Sequence, residues 1–245
     1  MAGLAGLGVL TVLLSPEPET GIDAAAASAT PGDWFKTAVI APFADFLTRP
    51  GWPLILLFIM LYKLGDAYLG VMANPFYVDI GFSTIEIANV SKIFGTIATL
   101  VGLAAGGVMV ARLGLYKSLL LGGTLQMFSN LMYVLQAWAG HNIELLAATI
   151  FIENFSGGLG SAAFVAYLSS LCNVSFTATQ DALLSSLAAV GRTTLASSGG
   201  WLVDQVGWIV FFTLSTAAAI PGLLMAAWLM QRFRAPEIRP ALARD

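Results

Sequence analysis

Pro53-Leu-Ile-Leu-Leu-Phe-Ile-Met-Leu-Tyr-Lys63-Leu-Gly-Asp66-Ala-Tyr-Leu-Gly-Val-Met-Ala-Asn74 is the stretch on which the reading of this chain turns. It is apolar or aromatic almost throughout, and an α-helix needs about 20 such residues to cross the hydrocarbon of a bilayer. The rest of the chain follows suit: 58% of the 245 residues are hydrophobic, 10% are charged, and the mean hydropathy is +0.82. Soluble domains carry roughly 25% charged residues, so lipid is the expected solvent. The net charge of −3 and the lack of a basic run give no footing for nucleic acid. With one cysteine, Cys172, and one histidine, His141, neither an internal disulfide nor a Cys/His metal cluster can form, and no cofactor is implied.

Six segments have the length and character of spans: Pro53–Asn74, Glu86–Val110, Ser118–Trp138, Ile143–Leu171, Asp181–Val203 and Trp208–Gln231. The connections are short, starting with Pro75 to Ile85, so neighbouring helices thread up and down. Uninterrupted apolar runs argue against a membrane barrel, whose strands alternate over ~10 residues. Lys36, Arg49, Arg112, Lys117, Arg232, Arg234, Arg239 and Arg244 all fall on one side, and the opposite loops carry no Lys or Arg. That asymmetry puts both ends of the six-helix unit, including the C-terminus, in the cytoplasm. Residues 51–231 are thus expected to form the bundle, and 232–245 a cytoplasmic tail.

The segment Met1–Leu14 is apolar but has no preceding Lys or Arg, as a signal peptide requires. Cleavage after it would also place residues 20–50 outside and invert the charge rule. It reads as the remnant of a preceding transmembrane helix. Residues 15–50 read as a cytoplasmic linker ending in an interfacial helix, with Trp34, Phe35, Phe43, Phe46 and Leu47 at helical spacing.

Two loops resemble each other. Gly107-Val-Met-Val-Ala-Arg-Leu-Gly114 and Gly200-Trp-Leu-Val-Asp-Gln-Val-Gly207 share the pattern G-x-x-x-[A/D]-x-x-G on opposite sides of the membrane. Three spans separate them. An inverted 3+3 repeat produces that arrangement, as within each half of a major facilitator transporter.

Charges within spans cost at least ~2.5–3.5 kcal/mol on insertion scales, so they seek a partner or a cavity. Lys63 and Asp66 share one helical face. They are either a structural ion pair or a proton site in which Lys63 tunes Asp66. Glu153-Asn154 is followed by Gly157-Gly-Leu-Gly160, glycines that admit a neighbouring helix. Glu153 has no local cation, so Arg192 on the fifth span is its natural partner; the guanidinium is equally suited to clamping a solute carboxylate. Lys92 can snorkel to the interface. Gln126, Asn130, Asn154 and Gln180 offer amides, which bind sugars and peptides or bridge helices. No Ser-His-Asp set, HExxH helix or P-loop is present, so no enzymatic activity is expected, and uphill transport would need an ion gradient.

These motifs, taken together, resemble the C-terminal half of the AmpG muropeptide permeases, a branch of the major facilitator superfamily. The resemblance is carried by Leu61-Tyr-Lys-Leu-Gly-Asp-Ala67, Phe151-Ile-Glu-Asn-Phe-Ser-Gly-Gly-Leu-Gly160, Ser175-Phe-Thr-Ala-Thr-Gln180, Ala189-Val-Gly-Arg192 and Ala219-Ile-Pro-Gly222, and runs over about residues 50–230. It implies an all-α, six-helix bundle in the bacterial inner membrane. It further implies proton-driven import of anhydro-muropeptides, with the family's polar positions falling on Lys63, Asp66, Lys92, Glu153, Asn154, Gln180 and Arg192. On our own reading of the residues, Asp66, Lys63 and Glu153 would serve in proton coupling. Arg192, Asn154, Asn130, Gln126, Lys92 and Gln180 would serve in solute binding. Ala111 stands where the superfamily's loop signature usually has Asp. A cavity formed between two halves would need a separate N-terminal half or self-association. Two other readings stay open: a non-transporting six-helix protein that assembles with a partner, and a related permease for a different anionic solute.

Overall fold

A computed structural model describes residues 40–48, 51–172 and 177–232, and within them every regular element is helical. Helix α1 (Ala41–Leu47) precedes the bundle. Helices α2 (Trp52–Tyr62) and α3 (Leu64–Asp79) form one rod, joined at Lys63. A second rod comprises α4 (Thr84–Val90), a π-helical turn (Ser91–Gly95) and α5 (Thr96–Leu113). The third is α6 (Leu115–Ser129) with α7 (Leu131–Ala139). Then come α8 (Ile143–Leu171), α9 (Thr177–Ala196), α10 (Gly199–Ala218) and α11 (Ile220–Arg232). Met1–Leu14, most of the 15–50 linker and the tail beyond Arg232 lie outside the described residues.

Among the described residues, four helical stretches are long and apolar enough to cross a membrane: Trp52–Asp79, Thr84–Leu113, Leu115–Ala139 and Gly199–Gln231, the last kinked at Gly207. Helix α8 is the longest single helix at 29 residues but falls outside that group. It is diluted by Glu144, Glu153, Asn154 and a run of glycines and serines.

The expected stop at Pro75 is not where the first rod ends. Pro75 sits inside α3, which continues to Asp79. One lost backbone bond near a helix end is tolerable where the rod is already packed. The turn comes instead at Gly81, with φ 98°, followed by a capping box in which Ser83 and Glu86 exchange bonds. Glu86 also faces His141 Nε2 at 3.5 Å, tying this turn to the one at Gly140. At the other end of the bundle, α1 is docked rather than free: Phe46 is buried in the core, and Asp45 Oδ2 accepts from Gln180 Nε2 at 2.8 Å.

Two hydrophobic cores stack along the bundle. One gathers Phe58, Ile59, Tyr62, Leu119, Phe164, Tyr167 and Leu229 toward the end that carries the basic residues. The other gathers Leu69, Phe76, Tyr77, Tyr133, Leu146, Phe211 and Phe212 toward the opposite end. Trp208 joins the second, stacking on Phe212 and donating from Nε1 to Asp79 at 2.6 Å.

Helix α8 runs unbroken past both cores, and glycines let its neighbours come close. A Cβ on Gly102 of α5 would collide with the Phe155 carbonyl, and one on Gly106 would lie 2.7 Å from Ala162 Cβ. Gly158 faces Thr99 and Leu103, and Gly122 of α6 faces Gly160. Lipid supplies no hydrophobic drive for helices to associate, so such backbone contact is a main source of cohesion. Gly102→Ala should therefore lower stability by about 1–3 kcal/mol. Gly107→Ala, where nothing lies within 4 Å, should change it little. Unfolding titrations in mixed micelles compare the two, and equal losses would refute this account of the α5–α8 contact.

Candidate functional site

Lys63 occupies the break in the first rod, with φ −100° and ψ 6°, ending α2 and starting α3. Its side chain is 16% exposed, so its ammonium must find acceptors within the protein. Three helices supply them. Asp66 Oδ2 of α3 lies at 2.9 Å, Gln126 Oε1 of α6 at 3.2 Å and Ser161 Oγ of α8 at 3.4 Å. An ammonium has three donors, and here each has an acceptor. The Phe164 ring adds its face 5.9 Å from Nζ.

Local sequence explains how these groups meet. Asp66 lies in the first turn of α3, where the helix dipole favours a carboxylate. Gln126 reaches Lys63 only because residue 160 is glycine: a Cβ there would lie 2.5 Å from Gln126 Oε1. Gly123 likewise leaves room for the Tyr62 ring, whose hydroxyl donates to the Leu119 carbonyl at 2.8 Å.

The expected site residues thus separate into groups. Lys63, Asp66 and Gln126 come together, and Asn130 lies one turn beyond Gln126, buried near Gly65. Glu153 stands on α8 about 12 Å along the axis from Ser161, at 1.5 Å per residue. Among the described residues it forms no ion pair, and the side chain of Arg192, its expected partner, lies outside them. Asn154 is engaged between helices: Nδ2 donates to the Ile150 carbonyl at 2.8 Å, and Oδ1 accepts from Thr99 Oγ1 at 3.1 Å. Gln180 holds Asp45 at the basic end of the bundle. Lys92 projects from the π-helical turn and is exposed. Ser161 and Thr99 went unread in the sequence, because a single hydroxyl among small residues carries no signal until its neighbours are known.

The described chain is an α-helical, multi-pass membrane protein with a polar cluster between its helices. It is similar over 226 residues, 92% of its length, to the anhydromuropeptide permease of Escherichia coli K12, at 42% identity. It is 39% identical over 198 residues to the putative transporter AmpG 4 of Rickettsia felis, and 39% over 163 residues to the putative transporter AmpG 3 of Rickettsia prowazekii. The shares of this chain are 80% and 66%, and the matches cover 45%, 47% and 39% of the three relatives in turn. No family model matches. The chain is a homologue of the AmpG-type permeases, and it spans about half the length of the curated relatives it matches.

The geometry makes Gln126 a partner of Lys63. A double-mutant cycle with Lys63→Met and Gln126→Met should return a coupling of about 0.5–3 kcal/mol in unfolding free energy. Additive losses would mean that the 3.2 Å contact holds nothing.

Proposed function

We propose that this chain is the C-terminal half of a major facilitator permease that imports anhydro-muropeptides together with protons across the inner membrane of a Gram-negative bacterium. The observation that carries this reading is the 42% identity to the E. coli anhydromuropeptide permease across nearly the whole chain. In this reading residues 51–231 are a six-helix bundle with the C-terminus cytoplasmic. The substrate cavity is completed by a separate N-terminal half or by a second copy.

An inverted repeat is supported by backbone conformation. Gly114 has φ 81° and ψ 166°, and Gly207, its counterpart in the repeated motif, has φ 74° and ψ 167°. Only glycine takes up such angles without strain. Gly207 divides α10 into residues 199–206 and 208–218, and in this reading the first part closes the fifth pass and the second opens the sixth. The packing also favours two related halves: α5 lies on α8 as α9 lies on α3, and α6 on α8 as α11 on α2.

Asp66 is the proton-sensitive carboxylate and Lys63 the charge that tunes it, with Glu153 a second coupling group on α8. Arg192 and Lys92 offer cationic contacts to an anionic solute, and Asn154, Asn130, Gln126 and Gln180 position the helices that line the path. A second reading is a six-helix protein that assembles with a partner without transporting.

The test is co-expression of this chain with the N-terminal half of a full-length relative, followed by uptake of labelled anhydro-muropeptide into vesicles under an imposed proton gradient. Accumulation above equilibrium is expected, and Asp66→Asn should reduce it to equilibration. Undiminished accumulation with Asp66→Asn would remove the proton role. Assembly of the halves without uptake would favour the second reading.

A further inference from the structure

Three helical rods lose their regular hydrogen bonding where the two cores meet. The first is interrupted at Lys63, the third at Asn130 and the last at Ala219. At two of them a neighbouring residue takes part. Ser129 Oγ bonds back to the Gln126 carbonyl at 2.7 Å beside Asn130, and Pro221 cannot donate to the turn before Ala219. The interruptions converge on Gly65. A Cβ there would lie 2.8 Å from the Ser215 carbonyl, 3.3 Å from Ala219 Cβ and 3.5 Å from Asn130 Nδ2.

The same plane divides the packing. On one side α2, α6 and α11 share one core, and on the other α3, α7 and residues 208–218 share the second. Helix α8 passes through without a break. At the junction, Asn130 Nδ2 is buried and has no acceptor among the described residues. Settled cores rarely tolerate such a group. Beside the first turns of α3 lies a half-open cavity of about 250 Å³, lined by Leu64, Tyr68, Leu202, Phe211, Ser215 and Ala218. It lies between α3 and α10.

We propose that the bundle articulates internally at this waist: α3, α7 and residues 208–218 pivot as one body about Gly65 relative to α8, and the Lys63–Asp66 pair is the catch that sets the angle. The pair is placed for this, because Lys63 is the joint itself and Asp66 belongs to the first turn of the moving helix. Among the described residues, the titratable groups around the catch are Lys63 and Asp66 themselves, Tyr62 at the end of α2, and Glu153 on α8. Gln126 and Ser161 hold Lys63 to the static side whether or not Asp66 is charged. The inference rests on the proton-coupled reading for its purpose, but its geometry stands apart from any solute. Helix α3 is about 24 Å long at 1.5 Å per residue, so a change of about 10° at Lys63 moves its far end by about 4 Å.

Spin-label distances in lipid nanodiscs test this, on a Cys172→Ser background. One pair, Val78→Cys with Ile143→Cys, reports α3 against α8 at the far end; a second, Leu54→Cys with Val165→Cys, reports α2 against α8 at the basic end. All four sites are exposed. Asp66→Asn, which changes charge with almost no change of volume, should shift or broaden the first distance by about 4 Å and leave the second in place. Gly65→Ala should also move the first pair alone. Motion of both pairs together, or of neither, overturns the articulation. The measurement needs no solute and no gradient, so labels that stay still while the assembled protein transports sink this inference alone. Labels that move in a protein that transports nothing sink only the transport reading.

Discussion

The position of one ammonium group constrains the centre of this molecule. Lys63 sits where an isolated charge is least tolerated, so each of its donors must meet an acceptor before the surrounding helices can close. Those acceptors come from α3, α6 and α8. Satisfying one side chain therefore brings three rods to the same depth and sets the rotation of each. Gln126 must face inward, and residue 160 cannot carry a side chain. The glycine at 160 is a consequence of that requirement as much as of helix packing.

The α5–α8 contact is built differently. Its cohesion comes from backbone touching backbone at Gly102, Gly106 and Gly158, with Asn154 and Thr99 supplying a polar tie. That seam is closely fitted, whereas a cavity lies where α3 meets α10. A close-packed seam resists sliding, and interruptions in the helix ladder next to free space yield more readily. The α5–α8 seam and the α3–α10 contact thus differ in kind.

The helical class was legible because long apolar runs have few alternatives, and Lys63 with Asp66 was legible because two charges in such a run demand explanation. The notable exception among the boundaries was Pro75, which looked like a stop and proved to be part of α3. A proline breaks a helix only when the surrounding packing does not already hold it. The amides were legible as polar but not as to purpose. Asn154, Gln126 and Gln180 look alike in the sequence, yet they face Thr99, Lys63 and Asp45. The choice among such partners depends on helix rotation, which a membrane span with apolar residues on every side does not encode. The interruptions at Lys63 and Asn130 had no signature either, since neither has a proline or a glycine pair at the break itself.

The arrangement around Lys63 bears on whether the ion pair is a staple or a switch. A buried ion pair contributes little stability beyond an apolar pair of the same volume, because desolvation offsets most of its attraction. A bundle already drawn together by glycine contacts would be held as well by leucine and methionine at these positions. A staple would also fail when its carboxylate was neutralised, leaving a buried cation without acceptors. Here it would not fail. With Asp66 neutral, Lys63 keeps Gln126 Oε1 and Ser161 Oγ within reach and the Phe164 face below it. The neutral acceptors make both charge states of Asp66 compatible with a folded bundle, and a site that survives both states can pass between them.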